Sequence, residues 1–321
     1  MPRSHFIRRG FPEGQAFVTY DVGDEEVKTD FLLEKRLRQL DADLHRRFTN
    51  SVFALQNVLS GYKTLFPDFT DHTELHSLSV IDFCNGLLGA EQIDRMNADE
   101  IYTLLMGCYL HDAGMGITRK DYEVFGEELG LSRYVEFHPQ TKITDIVREF
   151  HHEFSGCFIR KYAALFDFPS PEHLFAVVQV SRGHRRTELF DEKEYPAALR
   201  VQSGNTVCLP FLAALIRLAD EIDVTAARNP VFLYDVDSMQ ASLDVWHLQL
   251  HRATRDLLIT PERLTMTVDT ENDELYWTLC EIRNKMQMTL DYCREVMKLR
   301  TPYCITQMQV DIMRSGSGKA G

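Results

Sequence analysis

Two adjacent residues, His111 and Asp112, close the apolar run LMGCYL, and Gly114 and Gly116 follow at once. An imidazole beside a carboxylate at the end of a buried helix is an unfavourable arrangement, because an unpartnered buried carboxylate costs on the order of several kcal/mol. A cation held by both side chains is the simplest way to remove that cost. Other residues of the same types recur along the chain. His76 stands 35 positions upstream of His111, His151 and His152 lie in HHEFSG, His184 lies in SRGHRR, and Asp220 lies in the apolar run FLAALIRLADEID. Each sits on or beside an otherwise hydrophobic segment. One such histidine reads as a core residue; the order H, HD, HH, H, D carries more information than any member.

Elements that could position these residues follow from apolar spacing and breakers. Thr29 or Asp30 caps a helix predicted to run to about residue 62, with Leu33, Leu37, Leu40, Leu44 and Phe48 on one face. Thr70 or Asp71 caps a second, which carries His76 and ends at Gly89. Asn97 or Asp99 starts the helix that delivers His111 and Asp112. Residues 118–140 are predicted to be a short helix and a loop over the site, 144–166 a helix carrying His151 and His152, and 172–182 a helix leading into His184. The run 209–225 is a very apolar helix carrying Asp220. After Pro230 the texture changes: VFLYDVD, and the pair DLLIT and RLTMTV around Pro261-Glu262, read as strands, before a long helix over about 272–299. The expected organisation is an N-terminal arm (1–28, with one strand at 16–21), an all-α unit (29–229), a small α/β annex (230–314) and a disordered tail (315–321).

Composition narrows the class. The hydrophobic fraction of 44% supports a sizeable core, and the net charge of −13 disfavours a non-specific partner of long nucleic acid. Seven scattered cysteines without a CxxC pair read as reduced thiols in the cytoplasm. No apolar run approaches the roughly 18 residues of a membrane span, so no membrane partner is expected.

The order of ligand-type residues resembles the HD-domain metal-dependent phosphohydrolases, over roughly residues 65–228. The resemblance rests on LHSLSV (His76), YLHDAGMG (His111, Asp112) and RLADEID (Asp220), with HHEFSG and SRGHRR similar to the additional histidines of two-metal members. It implies a mainly α HD-domain bundle in which His76, His111, Asp112 and Asp220 hold one ion and His152 and His184 hold a second. His152 is taken over His151 because it lies four residues before Gly156. Asp112 would bridge the two ions, about 3.5–4 Å apart, together with a hydroxide that attacks phosphorus. The catalytic residues implied are Asp112, His111, His152 and His184. Imidazole and carboxylate donors suit Mn, Fe, Co, Ni or Zn better than Mg. The implied substrate is a nucleotide: a (deoxy)nucleoside triphosphate in the first reading, a cyclic nucleotide or short oligonucleotide in the alternative. A non-catalytic metal- and nucleotide-sensing module that regulates a partner is the reading from another class. LADEID and HHExS look most like a bacterial subgroup of defence and conflict systems.

Substrate contacts are expected from Arg182, Arg185, Arg186, Arg217, Lys120 and His72, with Arg119 near Lys120. The lysine often found after HDxG in the family is absent, since position 115 is Met. Glu153, Glu221 and Asp223 are candidates to orient ligand histidines, set against the plainer reading of surface carboxylates. The apolar stripes of the first and last long helices would serve a homo-oligomer or a partner protein as readily as a core.

Overall fold

Asn97 shows how local sequence starts the central helix. Its side chain accepts from the Glu100 N–H, and the Glu100 carboxylate accepts in return from the Asn97 N–H, a complete capping box. The helix it starts, α4 (Ala98–Leu110), is buried from Asp99 to Leu110 in the computed structural model, which describes residues 31–60, 74–224, 249–250 and 252–315. Around it pack α1 (Leu32–Leu40), α2 (Ala42–Ser60), α3 (Glu74–Arg95), α8 (Pro171–Arg182) and α9 (Leu209–Glu221). Helices α5 (Arg119–Glu128) and α6 (Ser132–Phe137) lead into α7 (Ile143–Lys161). Pro at the first turns of α8 and α9 suits positions whose N–H groups need no helical partner. The chain is therefore mainly α, as its apolar periodicity predicts.

Three expectations change. The first long helix is two helices, because Asp41 leaves helical geometry (φ −153, ψ 103) and its Oδ1 accepts from the N–H groups of Asp43 and Leu44, both at 2.9 Å. The stretch 118–140 holds two helices rather than one. The annex has a third strand, β5 (Gln309–Arg314), which lies parallel to β4 (Arg263–Val268), itself the partner of β3 (Thr254–Ile259) in the expected hairpin. Only Val310 of β5 is buried. Between β4 and β5 runs α10 (Asp273–Arg300), which packs along α9. A two-stranded ribbon of β1 (Leu199–Arg200) and β2 (Thr206–Val207) lies between α8 and α9. The expected arm, the strands at 16–21 and 231–237, the cap at Thr70 or Asp71, and the tail from 316 lie outside the described residues. No helix among those described is long and apolar enough to cross a membrane.

Asp121 ties α5 to α7. It accepts from Lys161 Nζ at 2.6 Å, from the Tyr162 hydroxyl at 2.7 Å and from the N–H and hydroxyl of Thr118 at 3.0 and 2.6 Å. Burial alone would raise its pKa, but Lys161, Thr118 and Tyr162 outweigh burial and hold the carboxyl down at about 2, against an ordinary 3.8. A depressed folded-state pKa means that the stabilisation is complete above 3.8 and is lost as pH falls toward 2. The stability gap between the wild type and Asp121→Asn, measured by urea titration, is expected to be open at about pH 6 and to close between about pH 4 and pH 2. A gap independent of pH would contradict the assignment.

Candidate metal centre

Four histidines are held by the same device. His111, at the end of α4, places Nδ1 2.9 Å from the Cys108 carbonyl oxygen. His151 does the same with Arg148 at 2.7 Å, and His184 with Ser181 at 2.5 Å. His76, on α3, has Nδ1 2.7 Å from Asp223 Oδ2. Carbonyl oxygens only accept, so in each of the first three rings Nδ1 carries the proton and Nε2 presents a lone pair; the Asp223 carboxylate acts alike on His76. These Nε2 atoms converge: His76 and His111 at 3.0 Å, His151 and His184 at 2.8 Å. Two lone pairs so placed repel each other, unless a proton or a metal ion lies between them. The spacing is close to the ligand–ligand edge of about 3 Å that follows from metal–nitrogen bonds of about 2.0–2.1 Å.

Asp112 joins the two pairs. Its Oδ2 lies 3.5 Å from His76 Nε2 and 3.6 Å from His111 Nε2, while Oδ1 lies 3.3 Å from His151 Nε2 and 3.7 Å from His184 Nε2. Asp220 Oδ1 adds to the first pair, 3.3 Å from His76 and 3.8 Å from His111. Two groups of donors result, His76–His111–Asp112 with Asp220, and Asp112–His151–His184, the atoms of each triad lying within 4.8 Å of one another. All six imidazole and carboxylate side chains except Asp220 are almost wholly buried. The donor set, buried imidazole nitrogen with anionic oxygen, fits a divalent metal ion.

The electrostatics agree. Burial works against charge on His111, yet the facing carboxylates of Asp112 and Asp220 more than offset it, raising its pKa to about 9. Burial likewise opposes charge on Asp220, but His111 and His76 hold its carboxyl well below the usual range. His184 is pushed far down by burial and by the cationic forms of His111 and His151. Protonation is thus favoured at His111, where two carboxylates face it, while His184 stays neutral and keeps its Nε2 lone pair.

Backbone contacts set this geometry. The residues after Asp112 form a 3₁₀ turn, Ala113–Gly116, laid directly on α7. Ser155 of α7 donates to the His111 carbonyl at 2.5 Å and accepts from the Gly114 N–H at 2.8 Å. A Cβ on Gly114 would stand 2.3 Å from the His151 carbonyl oxygen, so only glycine permits the approach. Helix α7 departs from helical geometry at Phe150 (φ −109, ψ 15), just before the two histidines.

That kink corrects the expected ligand. His151, not His152, enters the group with Asp112 and His184. His152 is buried a quarter-turn away, its ring centroid 6.1 Å from that of His151 and 6.4 Å from that of His184. Its Nδ1 has no hydrogen-bond partner. Burial, then His151 and the guanidinium groups of Arg185, Arg182 and Arg186, lower its pKa to about 3, so the ring is neutral.

The expected substrate cations divide. Arg182 is engaged internally: Nε and Nη2 donate to the two oxygens of Glu153 at 2.9 and 2.8 Å, and Nη1 donates to Gln179 at 2.8 Å. Arg186 pairs with Glu149. Arg217 donates to the Gly183 carbonyl at 2.7 Å and the Thr187 carbonyl at 2.7 Å, and its guanidinium lies over the Tyr292 ring of α10 at 5.1 Å. It therefore braces the turn that carries His184, and its donors, like those of Arg182, are engaged inside the protein. Arg185 is half-buried and makes no hydrogen bond or ion pair among the described residues, whereas Lys120 and Arg119 are exposed on α5, with Arg119 beside Glu123 at 3.6 Å. His72 lies outside the described residues. Arg217→Lys, which cannot span both carbonyls, is expected to reduce bound metal by about one ion per chain with little loss of secondary structure. Metal analysis beside circular dichroism checks this; unchanged metal content would refute the bracing role.

Asp223 orients His76 and is buried, unlike the surface carboxylate of the plainer reading; Glu153 serves Arg182, and Glu221 pairs with Lys285 at 2.9 Å. The bracing carbonyls and Ser155 escaped sequence reading as site elements. Their only signal is position, three residues before a histidine or one turn after it.

A family model described as HD-CE matches residues 66–297 of the 321. The match contains the whole donor set and continues through the β3–β4 hairpin and most of α10. No curated protein matches the chain.

Proposed function

The chain belongs to the HD-CE family, and from that premise we propose that it is a metal-dependent phosphohydrolase acting on a nucleotide. The observation that carries the reading is Asp112, whose two oxygens face two separate histidine pairs. His76, His111 and Asp220 would hold one ion with Asp112, and His151 and His184 a second. When bound, such ions acidify water and neutralise charge on a phosphoryl group. The protein's part is orientation and exclusion. The Nδ1 contacts with Cys108, Arg148, Ser181 and Asp223 fix the four rings before any ligand arrives, so no reorganisation is needed at the reacting centre. Burial keeps bulk water from screening the donors.

Within this reading a nucleoside triphosphate is the favoured substrate and Mn a favoured ion. The acidic net charge weighs against long nucleic acid. Seven free thiols support a reducing, cytoplasmic setting, and a defence role is the proposal that follows from the HHExS and LADEID segments. The test has two parts. Elemental analysis of protein supplemented with Mn or Co is expected to find about two ions per chain. A panel of nucleoside triphosphates, cyclic nucleotides and short oligonucleotides is expected to reveal turnover with triphosphates first. Metal retained without turnover on any of them would replace the enzyme by a nucleotide sensor; no metal would sink both.

A further inference from the structure

The turn after α8 that carries His184 is weakly supported by its own backbone. The His184 N–H reaches the Ser181 carbonyl at 3.5 Å and the Arg185 N–H reaches Arg182 at 3.4 Å, against about 2.7–3.2 Å for an ordinary bond. Side chains from other elements supply what the turn lacks. Arg217 of α9 donates to the carbonyls of Gly183 and Thr187, each at 2.7 Å, one on either side of His184. Tyr195 donates to the Thr187 hydroxyl at 2.7 Å. Arg217 is in turn held by the annex. Its guanidinium lies over the ring of Tyr292, on α10, at 5.1 Å. A guanidinium stacked on a ring face keeps its in-plane donors for other partners, so the ring sets the plane in which Arg217 reaches the two carbonyls. The same residue also touches the chain just beyond the turn: the Tyr292 hydroxyl donates to Glu188 at 2.8 Å and accepts from the Leu189 N–H at 2.9 Å. About two helical turns further along α10, Arg300 donates to the carbonyls of Leu189 and Tyr195 at 2.7 and 3.0 Å.

We propose that Tyr292 is a positioning residue for the metal centre: through Arg217 it holds the turn that aims His184 Nε2 at Asp112, so the annex is a working part of the His151–His184 half-site. The other half-site lies outside this chain of contacts, because His111 and His76 are oriented by the Cys108 carbonyl and Asp223. The inference deepens the phosphohydrolase reading and rests on it for the role of His184 as a metal donor. The contacts from Tyr292 to Arg217 and from Arg217 to Gly183 are tested separately from the metal.

The experiment uses the full chain with 15N-labelled histidine, first free of metal and then titrated with Mn. Solvent exchange of the ring Nδ1 protons is followed by NMR, since local opening sets its rate. Tyr292→Leu is expected to speed exchange at His184 about tenfold, the scale of a partly desolvated cation–ring contact, and to leave His111 unchanged. Tyr292→Phe keeps the ring over Arg217 and is expected to restore the wild-type rate to within about threefold. Arg217→Lys should match Tyr292→Leu, and the double variant should be no faster than either, because both act through one contact. Faster exchange at His111 as well as His184 would report general loosening and overturn the proposal, as would an unchanged rate at His184. Rates that multiply in the double variant would overturn transmission through Arg217. In calorimetry with Mn, Tyr292→Leu is expected to weaken one ion about tenfold and to spare the other; equal weakening of both, or none, would overturn the role in the metal centre. A wild-type chain that takes up no Mn would defeat the phosphohydrolase reading instead, and the exchange rates would then decide the positioning of His184 alone.

Discussion

Asp112→Asn is expected to lower turnover by about three orders of magnitude or more and to remove bound metal at the same time. The reason is geometric. Among the described residues Asp112 is the one side chain that faces both histidine pairs, Oδ2 toward His76 and His111 and Oδ1 toward His151 and His184. An amide keeps the shape but cannot present two anionic oxygens, so both half-sites lose their shared ligand. Metal per chain should fall from about two to below one, measured by elemental analysis on the same preparation used for kinetics. The helical circular dichroism spectrum should survive, because α4 is anchored by its own capping box and by its wholly buried face. Asp112→Ala should behave alike. Turnover within about tenfold of wild type would refute a shared, metal-based centre.

Gly114→Ala is expected to be the most damaging of the small substitutions. The added Cβ would stand 2.3 Å from the His151 carbonyl oxygen and 2.5 Å from the Ser155 amide nitrogen, both backbone atoms that cannot rotate away. Forcing them apart separates the HD turn from α7. It breaks the pair of bonds that Ser155 makes to His111 and Gly114 and carries His151 away from Asp112. Overpacking against flexible side chains costs about 1–3 kcal/mol, and a rigid backbone puts this site at or beyond the upper end. Urea titration should show a loss of about 3 kcal/mol, accompanied by lost metal. Gly126→Ala supplies the comparison. That glycine lies inside α5, a Cβ there meets nothing within 4 Å, and alanine is the better helix former by about 1 kcal/mol, so stability should hold or rise. If the two variants behaved alike, the close approach at Gly114 would not be what positions the site.

The sequence alone determined the helices and the residue types on them. Asn97, Pro171 and Pro210 mark helix starts through bonds and ring constraints that act within one turn, and the apolar spacing identifies the faces to be buried. Histidine and aspartate on such faces are chemically conspicuous, which is why His76, His111, Asp112, His184 and Asp220 could be named and are found together. Tertiary structure decided what depends on distant partners. His151 and His152 are adjacent, alike in type and both buried, yet about 100° apart around a helix. Which of them meets Asp112 depends on the kink at Phe150 and on the contact between Gly114 and the backbone of α7, neither of which has a signature in the local spacing. Arg182, Arg185 and Arg217 look equivalent as cations near a phosphate site. Only the fold assigns Glu153 to the first and the Gly183 and Thr187 carbonyls to the last, while Arg185 has no hydrogen bond or ion pair among the described residues. Local sequence determines what a side chain can do; the long-range packing of α4, α7, α8 and α9 determines which of those capacities is already satisfied, because hydrogen-bond partners are distributed by proximity in space.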